Sequence, residues 1–543
     1  MSGSKQAQII AIYDISGIQS YIFATNKLKE AIGASQIVHD VLYKKLPEKL
    51  GDKELEWQNE AYPTLDIADN KDGNIIYIGG GNAVVVYPDL LSMNKVTRKL
   101  QEELFKETRG QLRLCYASTE IKDASEYYEL ESKLRANLTQ YKATTPPILP
   151  IRGFSIGSDD NETNDSNQLL FLKNNDALIG SYARCKKVEV MRETKEKIMK
   201  EEAKNRQKPY LEADEFEVYR EDGSKSFVGV IHIDGNTMGK KIQEFVRNLG
   251  GNLSEQLQKM RKLALEINRL YQTVLKATIE EVFEKEISEH KEESDYALPI
   301  RTIIADGDDI TVIIKAEQAL SFTKIFLEKL GKSIEREDSI LKEAEIPLSA
   351  GAGIAFVHDK FPFSVAYDIA EQLCRSAKKR GRYYEEANAS PSSIDFQVIF
   401  SGITTNIMHY RKKNYIVPYG NNGELYSLIR RPYLLLEDKG DALSIDNFID
   451  GLNKIKQSNI ANNKLEALRH AYAESDNATT YIFNQIDSRQ KEADSFLLTE
   501  AFEVINGLDW FDDTEENRVT KVANYFDLLD MMNFYSSGGG NND

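Results

Sequence analysis

Twice along its 543 residues this chain runs an apolar strand pattern into an aspartate with a glycine close by, then a helical pattern, then two β-rich runs joined by a glycine-containing turn. In the first copy Ile9 to Tyr13 leads into Asp14-Ile15-Ser16-Gly17, an amphipathic stretch IQSYIFATNKLKEAIGASQIVHDVL follows, and NIIYIGGGNAVVVYPD supplies the paired runs. The second copy opens with FVGVIHIDGNTMGKKI. A long helical pattern follows with Leu263, Ile267, Leu270 and Val274 on one face, and then RTIIADGDDITVIIKA. Asp14 precedes Asn82 by nearly the same stretch of chain as Asp234 precedes Asp309, so a tandem duplication explains the pattern better than coincidence.

Each copy continues with a helix and a further strand: Lys95 to Thr108 and RLCYAS in the first, Phe322 to Glu335 and LSAGAGIAFV in the second. A helix around Ser364 to Lys379, with Val365, Ile369 and Leu373 as its apolar stripe, closes the second copy. This order is that of a ferredoxin-like palm, and the fold class predicted is α+β with two such palms. The expected boundaries are residues 1–145 for the first palm, 146–225 for an irregular, partly helical spacer, 226–400 for the second palm and 401–535 for a mainly helical C-terminal domain. The spacer holds the linker signal TTPPILPIRG, the polar run SDDNETNDSN and the charged helix MRETKEKIMKEEAKNR. In the C-terminal domain Val519, Val522, Phe526 and Leu529 read as one helical face and Asn506-Gly507 as the stop of the preceding helix; residues 536–543 read as a disordered tail.

Composition narrows the function classes. A hydrophobic fraction of 41 % and a mean hydropathy of −0.47 describe a globular chain, and no apolar run approaches the roughly 20 residues of a membrane helix. The N-terminus lacks the charged-then-apolar layout of a secretory signal. Three scattered cysteines, Cys115, Cys185 and Cys374, form no CxxC pair, which argues against a disulfide framework or a Cys-rich zinc site and for a reducing cytoplasm. The net charge of −17 opposes wrapping of nucleic acid by this chain alone, because neutralising phosphates drives such binding. A mononucleotide held through metal ions is compatible with that charge.

The sharpest chemistry lies in IHIDGN and ADGDDI. In a palm the two segments are neighbouring strands, so Asp234, Asp308 and Asp309 converge at one sheet edge. Such hard oxygen ligands suit Mg²⁺ or Mn²⁺, and two ions can activate an attacking hydroxyl and stabilise leaving pyrophosphate. Gly307 allows the tight turn and the approach of backbone amides to phosphates. A solvent-facing acidic hairpin would account for DGDD alone. Lys378, in the run AKKRGR, could reach a triphosphate, or simply be a cation at a helix C-terminus.

Taken together, DISGIQSYIF, GGGN, DGNTMGK, DGDD, LSAGAGIAF, AEQLCRSAKKRGR, SSIDF and RRPY resemble the large polymerase-cyclase subunit of type III CRISPR effector complexes, the Cmr/Csm large-subunit family, from about residue 8 to 435. The resemblance implies a second palm whose GGDD turn holds metals and converts ATP into cyclic oligoadenylate messengers of antiviral defence. On this sequence Asp308 and Asp309 match the turn acids and Asp234 the first-strand ligand; Ser349 and Lys378 match positions near the nucleotide. Gly235, Asn236 and Gly307 beside the acids, with Gly79 and Gly80 in the acid-free turn of the first palm, complete the expected nucleotide-binding set. That first palm resembles the family's inactive palm, which can hold a second ATP. Asp306 replaces the first glycine of GGDD. No HD nuclease domain and no structural zinc are expected. The implied partners are ATP, other effector subunits and guide or target RNA, with no membrane. Two other readings remain open: a non-catalytic scaffold subunit, and a stand-alone defence cyclase, for which a homodimer is possible.

Overall fold

A computed structural model describes residues 7–122, 125–144, 167–171, 177–205, 210–215, 219, 227–290, 293, 296–333, 339–384, 390–400, 406–419, 424–488, 502–504 and 519–536. The linker TTPPILPIRG beyond Thr144, the polar run SDDNETNDSN up to Ser166, Asn506-Gly507 and the tail from Ser537 lie outside the described residues.

The first palm is built from β1 (Ile9–Ser16), α1 (Ile18–Ile22), α2 (Leu28–Asp40), β2 (Asn74–Gly79), β3 (Asn82–Tyr87), α3 (Leu90–Thr108), β4 (Arg113–Glu120) and α4 (Tyr127–Thr144). Its strands form an antiparallel sheet in the order β2-β3-β1-β4, with Asp14 opposite Asn82 and Gly79 opposite Asn82 across the turn. The charged spacer helix is α5 (Tyr182–Asn205). The expected single helix after Gly17 is instead two. The chain leaves helical geometry after Ile22, and Phe23 packs its ring 4.2 Å from that of Tyr367 and 5.1 Å from that of Phe363, both in the second palm. A break that buries an aromatic ring outweighs the few backbone bonds an unbroken helix would keep.

The second palm contains β5 (Phe227–Gly235), α6 (Met238–Arg247), α7 (Leu253–Val282), β6 (Ile300–Asp306), β7 (Asp309–Lys315), α8 (Ala316–Gly331), β8 (Ala350–His358), α9 (Phe363–Tyr383) and β9 (Ser393–Val398). With β12 (Tyr433–Leu434) its sheet runs β6-β7-β5-β8-β9-β12, antiparallel except for the β8–β9 pair. Asp306 stands opposite Asp309 as Gly79 stands opposite Asn82, so the repeat seen in the sequence is a repeat of strand register. Helix α7 begins with a capping box between Asn252 and Glu255 and buries Leu263, Ile267 and Val274.

Both palms contribute to both apolar cores. Ile10, Ile12, Val84 and Val86 from one face of the first sheet share a cluster with Ile231, Ile233 and Val312; Ile9, Ala11, Tyr13 and Val85 from the other face share one with Val230, Ile313 and Leu373. Arg261 of α7 ties the units further: wholly buried, it donates to the carbonyls of Ile75 at 2.6 Å, Ile76 at 3.3 Å and Pro63 at 3.3 Å, and to that of Tyr62. The palms therefore face each other within one chain, a point the sequence left undecided.

The C-terminal part holds the helices α10 (Ile445–Gln457), α11 (Asn462–Glu474) and α12 (Asp476–Asp487), and also a four-stranded sheet. That sheet orders β10 (Ile416–Tyr419), β11 (Glu424–Ser427), β14 (Val519–Ala523) and β13 (Phe502–Val504) as β10-β11-β14-β13. The helical face expected through Val519, Val522, Phe526 and Leu529 is thus corrected. Val519 and Val522 lie on a strand paired on both sides, and only α13 (Phe526–Met531) is helical. Valine's stiff, branched side chain suits the sheet once partner strands are present. Among the described residues no helix is long and apolar enough to cross a membrane.

LSAGAGIAF owes its glycines to packing. A Cβ on Gly353 would lie 2.1 Å from the Ala370 carbonyl oxygen and 2.4 Å from the Cys374 nitrogen; one on Gly351 would lie 2.5 Å from Lys378 Cγ. Only glycine lets α9 settle this closely on β8. Gly353→Ala is expected to destabilise the protein by at least about 1–3 kcal/mol, as overpacking against backbone does. Gly239→Ala, on α6 with open space around it, should change stability by less than about 1 kcal/mol; thermal denaturation of the two variants measures the contrast.

Candidate functional site between the palms

Asp234 is the penultimate residue of β5, and the β5–β7 register, Ile233 opposite Ile310, brings it beside Asp309. Between β6 and β7 the chain turns through Gly307 and Asp308, and Gly307 has φ +62, a left-handed conformation that glycine adopts without strain. Gly235 is small for a reason of its own: a Cβ there would stand 2.8 Å from Asp308 Oδ2 and 2.9 Å from the Tyr271 hydroxyl. Asp234, Asp308 and Asp309 therefore stand beside one another at one edge of the sheet, with Gly235 and Gly307 making the room.

Lys378 on α9 donates to the Asp234 carboxylate and, at 2.7 Å, to the Gly235 carbonyl. It lies against the acids because α9 packs on β8, and not as a free cation at a helix end. Asn236 and Ser349 bind each other: the Asn236 amide N–H donates to the Ser349 carbonyl at 2.9 Å, and its Nδ2 to Ser349 Oγ at 3.0 Å. This pair, of which Asn236 is buried, braces the segment after Asp234 against the start of β8. Gly79 and Gly80 sit across the cleft, and a Cβ on Gly307 would be 3.9 Å from the Gly80 nitrogen, so the two palms meet turn to turn. A cavity of about 500 Å³ opens there, lined by Ile18, Val38 and Leu42 from the first palm and Ile304, Asp306 and Asp309 from the second.

Crowding shapes the electrostatics. Burial, then the neighbouring Asp234, raises the Asp308 carboxyl to about 6. Asp309 is raised to about 8 by burial, then by Asp234, Asp308, Asp306 and Glu371. One Asp309 oxygen reaches the cleft, leaving 40 % of the side chain accessible, whereas Oδ1 is buried without a hydrogen-bond partner, 3.5 Å from His232 Nδ1. His232, itself buried, has its proton affinity lowered by that burial. The Tyr271 hydroxyl, also buried and without a hydrogen-bond partner, is pushed well up by burial and by the charges of Asp308 and Asp234.

Asp234, Asp308 and Asp309 are neighbours, but among the described residues no group of three His, Cys, Asp or Glu is arranged to hold a metal ion as it stands, and Lys378 occupies Asp234. The donor chemistry nevertheless fits a hard divalent cation. The set is all carboxylate, its members repel one another, and one buried oxygen lacks a partner. Tyr271, His232, Glu371 and Tyr43 escaped the sequence reading: Tyr271 and Tyr43 lie outside every motif quoted, and His232 and Glu371, though inside IHIDGN and AEQLCRSAKKRGR, face the acids only through strand pairing and helix packing. Asp306 alone left a trace, as the acid standing where a glycine is usual.

Residues 227–384 match the family described as Cas10/Cmr2, second palm domain. No curated protein matches the chain. Among solved structures, the crystal structure of the apo Csm1–Csm4 cassette is similar over 90 % of this chain and 66 % of that one, at 14 % identity and a TM-score of 0.46. The cassette in complex with cA4 is similar over 90 % and 65 %, at 11 % identity and a TM-score of 0.41. Csm1 in T. onnurineus is similar over 89 % and 64 %, at 12 % identity and a TM-score of 0.41. This chain spans just under two thirds of the length of those chains.

Because raised carboxyl pKa values mean that the folded state binds protons more tightly than the unfolded one, their stabilising contribution is full below the ordinary carboxylate range and is lost as pH rises through about 6 and 8. In metal-free buffer, Asp309→Asn is expected to gain stability relative to the wild type as pH climbs from 5 to 9; a stability difference that stays flat across that range in paired thermal melts would contradict the crowding described here.

Proposed function

We infer that a chain whose residues 227–384 form a Cas10/Cmr2 second palm domain uses that palm for metal-dependent nucleotidyl transfer, converting ATP into oligoadenylate-type, cyclic products. The observation that carries this reading is the placement of Asp234, Asp308 and Asp309, whose repulsion Lys378 offsets only in part, on a cleft between two palms. Asp234, Asp308 and Asp309 would hold Mg²⁺ or Mn²⁺. When bound, such ions lower the pKa of a ribose hydroxyl and neutralise the charge of departing pyrophosphate.

The chain's own groups do the rest. Lys378 balances Asp234 at rest, and its ammonium is within reach of a triphosphate once a cation takes its place on the carboxylate. Asn236 and Ser349 hold the backbone beside Asp234, which limits the motion of the ligand set. The apolar wall of Ile18, Val38 and Leu42 excludes water from the inner cleft and offers a surface for a base. Other effector subunits and guide or target RNA are the partners proposed for the surfaces outside the cleft; the net charge of −17 calls for basic neighbours.

Purified protein incubated with each ribonucleoside triphosphate and Mg²⁺ or Mn²⁺, with and without RNA, is expected to yield an adenylate oligomer detectable by mass spectrometry. Asp308→Ala/Asp309→Ala should reduce the yield at least about 100-fold, the scale on which removal of transition-state charge stabilisation acts. Dependence on RNA assigns the activity to an RNA-guided complex and independence to a stand-alone cyclase. With neither product nor nucleotide binding, the enzyme reading fails and the scaffold reading takes its place.

A further inference from the structure

Asp306 does something in the fold that a turn residue need not do. It holds the position that Gly79 holds in the first palm, yet both of its carboxylate oxygens reach across the cleft. Oδ2 accepts from the Gly81 amide N–H at 2.8 Å, and Oδ1 accepts from the Tyr43 hydroxyl at 2.8 Å. Burial and the charge of Asp306 push the Tyr43 phenol well up, so it stays a donor. Both bonds are charge-assisted, the stronger kind. The surroundings look built for an anion larger than a carboxylate. Gly80 and Gly81 have φ +59 and +72, nothing lies within 4 Å of a Cβ placed on Gly79 or Gly80, and the turn lines the 500 Å³ cavity.

We propose that Asp306 is an internal competitor: it keeps the Gly81 amide and the Tyr43 hydroxyl filled, so that a phosphate-bearing ligand reaches the first palm's turn only by displacing this carboxylate. The choice of a phosphate as ligand rests on the nucleotidyl-transfer reading; the occupation of the two donors does not. Displacement separates the two turns without undocking the palms. Gln19 Nε2 still donates to the Tyr367 hydroxyl at 2.9 Å, the Phe363 amide to Asn26 Oδ1 at 2.9 Å, and Ser35 Oγ to the Ile303 carbonyl. The Asp306 contact is therefore one of several that join the palms, and an incoming anion must compete with a tethered one.

The test uses inorganic tripolyphosphate as the probe, by isothermal titration calorimetry with EDTA, on full-length protein carrying Asp308→Asn/Asp309→Asn. Those substitutions remove the cation-holding acids, and because Lys378 is unchanged in every variant compared, the change in affinity with Asp306 and Tyr43 reports the first palm's turn whether or not the second palm proves to be an enzyme. Adding Asp306→Gly is expected to tighten binding at least about tenfold, the scale of one charge-assisted hydrogen bond, and adding Tyr43→Phe to that variant should reverse most of the gain. Equal affinity with and without Asp306, in protein whose circular dichroism is unchanged, overturns the proposal. Should Asp306→Gly fail to fold, Asp306→Asn keeps the volume and one acceptor oxygen while dropping the charge; it should give a smaller gain in the same direction, and no gain there overturns the proposal equally.

Discussion

Three carboxylates forced together by strand register are the constraint around which the second palm is organised. Asp234 cannot move away from Asp309 without breaking the β5–β7 pairing, and Asp308 is held by a turn that closes over Gly235. Burial first, and then the repulsion that results, raises the proton affinity of Asp308 and Asp309. One ammonium, on Lys378, offsets part of it. That lysine arrives only because β8 presents glycines where α9 crosses, so the packing of a helix on a sheet and the charge balance of a site are one design feature.

The first palm matters to the site as a wall and as a counter-turn. Its sheet shares both apolar cores with the second palm, and Arg261 spends a fully buried guanidinium on first-palm carbonyls. Burying an arginine is costly unless its donors are met, and here they are met by backbone oxygens of the first palm. A pairing of this kind lets the two turns meet, with the Gly81 amide 2.8 Å from Asp306 Oδ2, and leaves an open cavity beside them.

Much of this was legible in the residues. The repeat and the hairpins follow from alternation, turn chemistry and the period of buried positions, all local properties, and the meeting of Asp234 with Asp308 and Asp309 follows once those elements are placed in a palm. Where the reading failed, a distant partner had intervened. Phe23 breaks a helix to reach Tyr367 and Phe363, and Val519 and Val522, spaced as on a helix, are claimed by strands on either side. The same pattern of apolar residues is satisfied by either element, and the available neighbour decides between them.

The sequence by itself determined that the chain holds two copies of one α+β unit and that only the second copy carries acids at its turn. It could do so because strand alternation and turn composition are properties of residues close along the chain. Only the tertiary structure decided that Lys378 rests on Asp234, that Asn236 and Ser349 brace each other, and that Tyr271 and His232 point at the acids. It also decided that Asp306 bridges to Tyr43 and Gly81. Each of those contacts joins elements far apart in sequence, and which side chains meet there is set by how helices pack on sheets and by how one palm docks on the other, which no local pattern encodes.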